Sequence, residues 1–283
     1  MKRFFVHFWF LPFVFAPLVA GQNGAQPLGH HESLNSVLYV QTAVEYRATA
    51  LGIYALAKLR LDEALQDPFW SAALEQLGDT RYAELPPAVV LDVDETVLDN
   101  SAYQARLIED GTRFNSGSWL AWVDEEKATP VPGALEFTRY AASRGVQVIY
   151  LTNRNASGEQ ATRNNLRRLG FPVDERDDTI LTRGERDEWT MSDKTPRRQF
   201  VADSYRILLL IGDNFGDFAN EAANSLSGRD DSALNYAPFW GRKWIVLPNP
   251  LYGSWEGALI EYNYGAEVSD RLRKKHSRLK TAR

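Results

Sequence analysis

The sequence predicts an α/β protein: a Rossmann-like parallel sheet with flanking helices, a helical cap inserted after the first core strand, and an N-terminal helical layer. Three observations carry this expectation. Four short runs, "AVVL" (88–91), "VQVIYL" (146–151), "ILLLI" (207–211) and "KWIVL" (243–247), are nearly continuously apolar, as strands buried on both faces must be. Helical stretches near 134–143, 157–169, 196–204 and 216–226 alternate with them, which is the pattern of strand–helix–strand crossovers. Polar residues follow the runs, namely Asp92, Thr152, Asp213 and Asn249, and a parallel sheet gathers such residues at one crevice.

Residues 1–21, "MKRFFVHFWFLPFVFAPLVAG", have a basic start, an aromatic and aliphatic run, and small residues at Ala20 and Gly21. They read as a secretory signal peptide, leaving 22–283 as one domain. The apolar run is short for a membrane span and is broken by Pro12 and Pro17, so no stable span is expected. The chain has no cysteine, which excludes disulfides, thiolate catalysis and a lipid anchored on an N-terminal cysteine. An exported protein, periplasmic or secreted, follows as the expectation.

Residues 33–66 keep apolar positions at helical spacing behind Ser33, a candidate N-cap, and read as one or two long helices. Pro86 and Pro87 mark the change to the α/β core, 88–250, within which 100–130 shows no strand of its own and reads as the cap insertion. Gly170 stops the helix before it. At 283 residues and 44% hydrophobic the chain can bury a full core, and a net charge of −5 argues against a nucleic-acid polymer as partner. The basic end "RLRKKHSRLKTAR" reads as a solvated terminal helix. Neither of the glycine-rich nucleotide phosphate loops is present.

The segment "VVLDVDETVLDN" (89–100) runs a buried strand straight into four carboxylates. Crowded acids repel one another and resist desolvation, so a cation or a phosphoryl group must share their site. Hydrolysis of a phosphate ester needs a nucleophile, an acid for the leaving oxygen, a divalent ion, and donors for the non-bridging oxygens. Asp92 is placed to be the nucleophile and Asp94, two residues on, the acid and then the base. Asp213 is a candidate Mg²⁺ ligand, and Lys194 and Thr152 candidate clamps on the phosphoryl group. Thr152 could instead cap the helix after it, and Lys194 competes with Arg197 and Arg198 for its role. Asp99 and Asn100 read as turn and cap-hinge residues. His30, His31 and His276 lie near the termini, away from these motifs, which disfavours a histidine mechanism.

"LDVDET", "LTNR", the lysine of "DKTPRR" and "IGDNFGDF" resemble the four motifs of the haloacid dehalogenase superfamily of phosphohydrolases. "DVDETVLDNSAY" with "VLPNPLYGSWE" resembles its class C acid phosphatases, the lipoprotein e type. That resemblance implies a haloacid dehalogenase-like fold, an aspartyl-phosphate intermediate, Mg²⁺, and phosphomonoester substrates that include nucleoside monophosphates. It also implies a homodimer. By position, Asp92 matches the nucleophile and Asp94 the acid/base whose backbone carbonyl also ligates the metal. Asp213 matches the carboxylate ligand, and Asp217 the second acid of the fourth motif, which holds metal-bound water. The missing cysteine is a departure from the lipidated founding members and bears on anchoring, not on chemistry. A dehalogenase would need neither Mg²⁺ nor Asp94, and a P-type ATPase would need long membrane spans.

Trp119 lies in the polar segment "FNSGSWLAWV" and Tyr252 follows a strand end in "PNPLYG". In the resembling phosphatases, aromatics at these positions stack on the leaving group, which implies a preference for nucleoside monophosphates and aryl phosphates. Trp122 reads as structural. The competing function is a haem- or cofactor-binding surface protein with vestigial phosphatase activity; its binding would survive loss of Asp92 and of Mg²⁺, whereas turnover would not.

Overall fold

The computed structural model describes residues 32–174, 177–220 and 225–282; the signal peptide expected at 1–21 lies outside them. No helix among the described residues is long and apolar enough to cross a membrane. The N-terminal layer is two helices, α1 (Leu34–Thr42) and α2 (Val44–Gln66), separated by an extended Ala43. The buried residues of α2 are Tyr46, Ala50, Tyr54, Ala57, Leu61 and Ala64, a stripe at three- and four-residue spacing that packs on the sheet.

The core strand β1 (Pro87–Leu91) leads through a tight loop to β2 (Leu98–Asp99), and then α3 (Ser101–Glu109) and α4 (Ser116–Asp124) form the insertion. It closes with β3 (Thr129–Pro130), which pairs antiparallel with β2. The expectation that 100–130 holds no strand is therefore corrected. The chain leaves and rejoins the core side by side, and Val131 N donates to Val97 O at 3.0 Å, so a short ladder ties the neck of the insertion. After α5 (Ala134–Ser143), β4 (Gln147–Asn155), α6 (Glu159–Leu169), β5 (Ile180–Arg183), α7 (Thr195–Ala202) and β6 (Arg206–Gly212) complete most of the α/β unit. The strand β5 escaped the sequence reading because four residues at a sheet edge carry too little periodicity.

A helix over 216–226 is not observed among the described residues. Phe215–Asp217 forms a single 3₁₀ turn, and α8 runs over Leu226–Asn235 behind the N-cap Ser225. The Asp217 carboxylate accepts from Asn214 N at 2.9 Å and closes a reciprocal capping box, which rounds off the turn at that point. β7 (Trp244–Val246), α9 (Ser254–Leu259) and α10 (Val268–Ser277) finish the chain. Lys274 of α10 and Arg278 just beyond its end pair with Glu261, and Lys275 pairs with Glu32 and Glu256.

All five main strands are parallel in the order β5-β4-β1-β6-β7. Alternation along the strands feeds two cores: Val89 and Leu91 of β1 join Tyr150, Ile211 and the α2 stripe from Ala50 to Ala64 on one face, while Ala88 and Val90 join Ile149, Leu210 and Trp244 on the other. Burial on both faces explains the unbroken apolar runs. The chain moves from β1 outward to β4 and β5, then returns to β6 and β7 on the far side of β1. A crevice opens at that reversal, over the carboxyl ends of the central strands.

Candidate active site

Asp92 follows β1 and extends its ladder, its N–H donating to Ile211 O at 2.9 Å. The chain then tightens: Val97 N and Leu98 N both donate to Val93 O, Glu95 N donates to Leu98 O, and Glu95 sits in the left-handed region at φ 59°. Tyr54 of α2 holds this loop through a 2.6 Å hydrogen bond to Thr96 O. A left-handed, non-glycine residue inside a loop tied by these four hydrogen bonds shows that the surrounding structure dictates the conformation.

From the end of β6, Asp213 accepts from Thr96 Oγ1 at 3.1 Å and from Asn249 Nδ2 at 2.8 Å. Asp217 reaches back over Gly212, where a Cβ would lie 2.3 Å from the Asp217 carboxylate, so only glycine fits there. Ligand oxygens of Asp92, Asp213 and Asp217 all lie within 4.8 Å of one another. Lys194, at the start of α7, puts its ammonium on Asp92 Oδ1 and, at 2.7 Å, on Asp217 Oδ1. Its rivals are engaged elsewhere: Arg197 on Thr152 O and Asn153 Oδ1, Arg198 on Glu75 Oε1.

Burial dominates the electrostatics. It pushes Asp92 up to about 7, opposed by Lys194 and reinforced by Asp217 and Asp94. Asp213 is raised well above the carboxylate range by burial first and by Asp217 and Asp92 next. Burial pulls Lys194 down, but the two acids outweigh it and hold the ammonium above its ordinary value. One lysine against three clustered acids, two of them buried, leaves negative charge uncompensated, and the donors are all hard carboxylate oxygens. That set fits a divalent cation such as Mg²⁺ rather than a soft metal.

Asp94 turns to the other side of the loop. Its Oδ1 accepts from Arg154 Nε at 3.0 Å, Arg154 Nη2 at 2.8 Å and Asn100 Nδ2 at 3.0 Å. Thr152 Oγ1 stands 3.5 Å from its Oδ2. Thr152 lies within β4 and is fully buried, and the helix after it is capped by Asn155, whose Oδ1 accepts from Ser157 N at 3.1 Å, so Thr152 is not the N-cap. Trp119, half-buried on α4, meets Tyr103 edge-on at 5.1 Å and covers the Arg154 guanidinium at 5.6 Å. Trp122 is buried and donates to Asn100 Oδ1 at 2.9 Å. Tyr252, half-buried in the loop after β7, donates its hydroxyl to Glu95. A cleft of about 460 Å³ opens beside Asp217, lined by Asn153, Asn214, Ser254, Tyr262 and Tyr264 among others.

Sequence reasoning missed Arg154 and Glu95, and read Asn100 only as a hinge. Arg154 left a signal: it stands two residues beyond Thr152 on one strand, hence on the same face. Glu95 and Asn100 left none. Glu95 is buried and raised well above the carboxylate range, by burial and then by Asp94 and Asp213, and it accepts from Asn100 N at 2.8 Å.

The model of one protein family, described as "HAD superfamily, subfamily IIIB (Acid phosphatase)", matches residues 28–255. Among solved structures, the class C acid phosphatase from Bacillus anthracis is 34% identical, with a TM-score of 0.76 over 88% of this chain and 97% of that one. The crystal structure of class C acid phosphatase from the same organism with tungstate bound matches at 32% identity with the same coverage and TM-score.

Proposed function

Because this chain belongs to subfamily IIIB of the HAD superfamily, the acid phosphatases, and is thus a phosphomonoester hydrolase, we propose that it works as an exported, Mg²⁺-dependent acid phosphatase and 5′-nucleotidase with Asp92 as its nucleophile. The observation that carries this reading is the meeting of Asp92, Asp213 and Asp217 within 4.8 Å, with Lys194 on two of them.

An Asp92 oxygen attacks phosphorus, the bond to the leaving oxygen breaks, and the Asp94 carboxyl gives its proton to that oxygen. In the second half Asp94, now ionised, takes a proton from water as the water oxygen attacks the aspartyl-phosphate; phosphate leaves and Asp92 is restored. Lys194 and the Thr152 hydroxyl clamp the phosphoryl oxygens. Asp92, Asp213 and the Asp94 carbonyl would hold Mg²⁺, with Asp217 as the outer acid. The ion would supply positive charge to the phosphoryl oxygens and offset the repulsion among the acids.

Trp119 and Tyr252 present aromatic surface on the cap and on the loop after β7, which favours nucleoside and aryl monophosphates as substrates. The relative from Bacillus anthracis was crystallised with tungstate, a tetrahedral oxyanion, and tungstate should compete with phosphate esters here as well. Export by the 1–21 segment and a homodimer belong to the same reading; N-terminal sequencing of the exported protein and sedimentation analysis test them. The central experiment is a panel of monophosphates with and without EDTA. Activity should vanish on chelation, return with Mg²⁺, and be greatest on nucleotides and aryl esters. Turnover that persists after exhaustive chelation refutes the metal-dependent reading.

A further inference from the structure

The Asp94 carboxylate is held asymmetrically. Oδ1 takes three donors at 2.8–3.0 Å, two from Arg154 and one from Asn100, whereas Oδ2 has only Arg154 Nε at 3.3 Å and Thr152 Oγ1 at 3.5 Å. An oxygen with three donors has no lone pair free for a proton, so the proton that Asp94 exchanges belongs on Oδ2. We propose that Arg154 is the positioning residue of the acid/base: it holds Asp94 Oδ1 and thereby points Oδ2 at the leaving oxygen. This rests on Asp94 having the acid/base role set out above.

Arg154 is built for such a task. Its side chain is 2% exposed, and every guanidinium nitrogen is engaged. Nε and Nη2 grip Asp94, Nη2 also reaches Asn100 Oδ1 at 3.4 Å, and Nη1 donates to Thr162 Oγ1 at 2.9 Å. Thr162 is itself anchored to Gly158 O at 2.8 Å at the head of α6. The planar fork therefore fixes both the distance and the plane of the carboxylate, which a lysine's single ammonium does not. The Trp119 ring closes the remaining side of the guanidinium at 5.6 Å, so the cap covers the group that orients the acid.

A purely structural arginine, tying β4 to α6, would leave the balance between substrates untouched. The test compares Arg154→Gln and Arg154→Lys with Asp94→Asn in the full protein, on p-nitrophenyl phosphate, whose leaving group needs no proton, and on glycerol phosphate, whose leaving group does. General acid catalysis contributes about 10²- to 10⁴-fold. Arg154→Gln should therefore lower kcat/KM on glycerol phosphate by about 10- to 100-fold and on p-nitrophenyl phosphate by less than about threefold, kcat/KM reporting the steps up to alcohol release and so leaving out the aspartyl-phosphate hydrolysis in which Asp94 is the base for both esters. Arg154→Lys should fall between Arg154→Gln and the parent, and it carries the test if the glutamine variant does not fold. Adding Arg154→Gln to Asp94→Asn should cost nothing further on glycerol phosphate, because the two act as one unit. Equal losses on both esters for the Arg154 variants, with Asp94→Asn still selective, overturn the positioning role alone. Equal losses for Asp94→Asn itself overturn the acid/base assignment, and the positioning role with it.

Discussion

An asparagine at position 92 keeps the shape of the carboxylate and removes its power to attack phosphorus. Asp92→Asn should lower turnover by more than about a thousandfold, since covalent catalysis and positioning are lost together, while circular dichroism stays that of the parent. Residual activity well above that level would point to another nucleophile. On the proposed reading, the aromatic residues Trp119 and Tyr252 act on a different quantity. Loss of one stacking face costs ~1–3 kcal/mol, so Trp119→Ala or Tyr252→Ala should raise KM for AMP by roughly 5- to 150-fold. Glycerol phosphate, with no ring to stack, should change far less. Tyr252→Phe keeps the ring and loses only the hydroxyl that donates to Glu95, so it should keep the preference for nucleotides. A Trp119→Ala variant that weakens both substrates alike would show that its ring does not read the leaving group.

At the scale of the element, β6 ends in Gly212 because the chain after it folds back on itself. A methyl group there would stand 2.3 Å from the Asp217 carboxylate and 2.5 Å from its Cβ. The only relief is a shift of the 3₁₀ turn at Phe215–Asp217, which carries Asp217 away from Asp92 and Asp213. Gly212→Ala should therefore weaken Mg²⁺ binding, read from the metal dependence of activity, by tenfold or more (about 1.4 kcal/mol), and destabilise the fold by ~1–3 kcal/mol through overpacking. An unchanged Mg²⁺ requirement would mean that Asp217 does not serve the ion. The same turn explains why helical periodicity misled over 216–226: the Asn214–Asp217 capping box closes a single turn instead of starting a long helix.

For the whole molecule, the proposed Mg²⁺ site would make these acids couple metal, protons and stability. Asp92, pushed up to about 7, with Asp213 and Glu95 also raised, keeps its proton in the folded chain after the unfolded chain, with an ordinary value of 3.8 for aspartate, has lost it. The folded state then binds more protons than the unfolded one, so the stability of the metal-free protein falls as pH rises from about 4 to about 7. Mg²⁺, bound as proposed, would take the place of the protons on the site, so its binding should release protons near neutral pH and strengthen as pH rises. The expected result is a Tm that drops across this window in EDTA and is largely restored by Mg²⁺, the gap widening with pH. Parallel curves in the two conditions would contradict the linkage.

The α/β class, four of the five main strands and the acids that follow two of them were legible because burial on both faces writes continuous apolar runs, and a parallel sheet then puts the ends of those runs together. The α2 stripe was legible for the same reason at helical period. A local pattern says which face of an element is covered, not which distant residue covers it. Lys194, Arg197 and Arg198 are alike in sequence context. Only the start of α7 against β1 and β6 puts Lys194, 102 residues from Asp92, on the carboxylates and turns the two arginines to Thr152, Asn153 and Glu75. Arg154 meets Asp94 across 60 residues, and Asn100 is drawn from hinge to hub because the left-handed turn at Glu95 curls the loop back upon it. The sequence by itself determined which groups stand at the crevice. The tertiary structure decided which of them touch, since contact depends on how whole elements pack, and no local period encodes that.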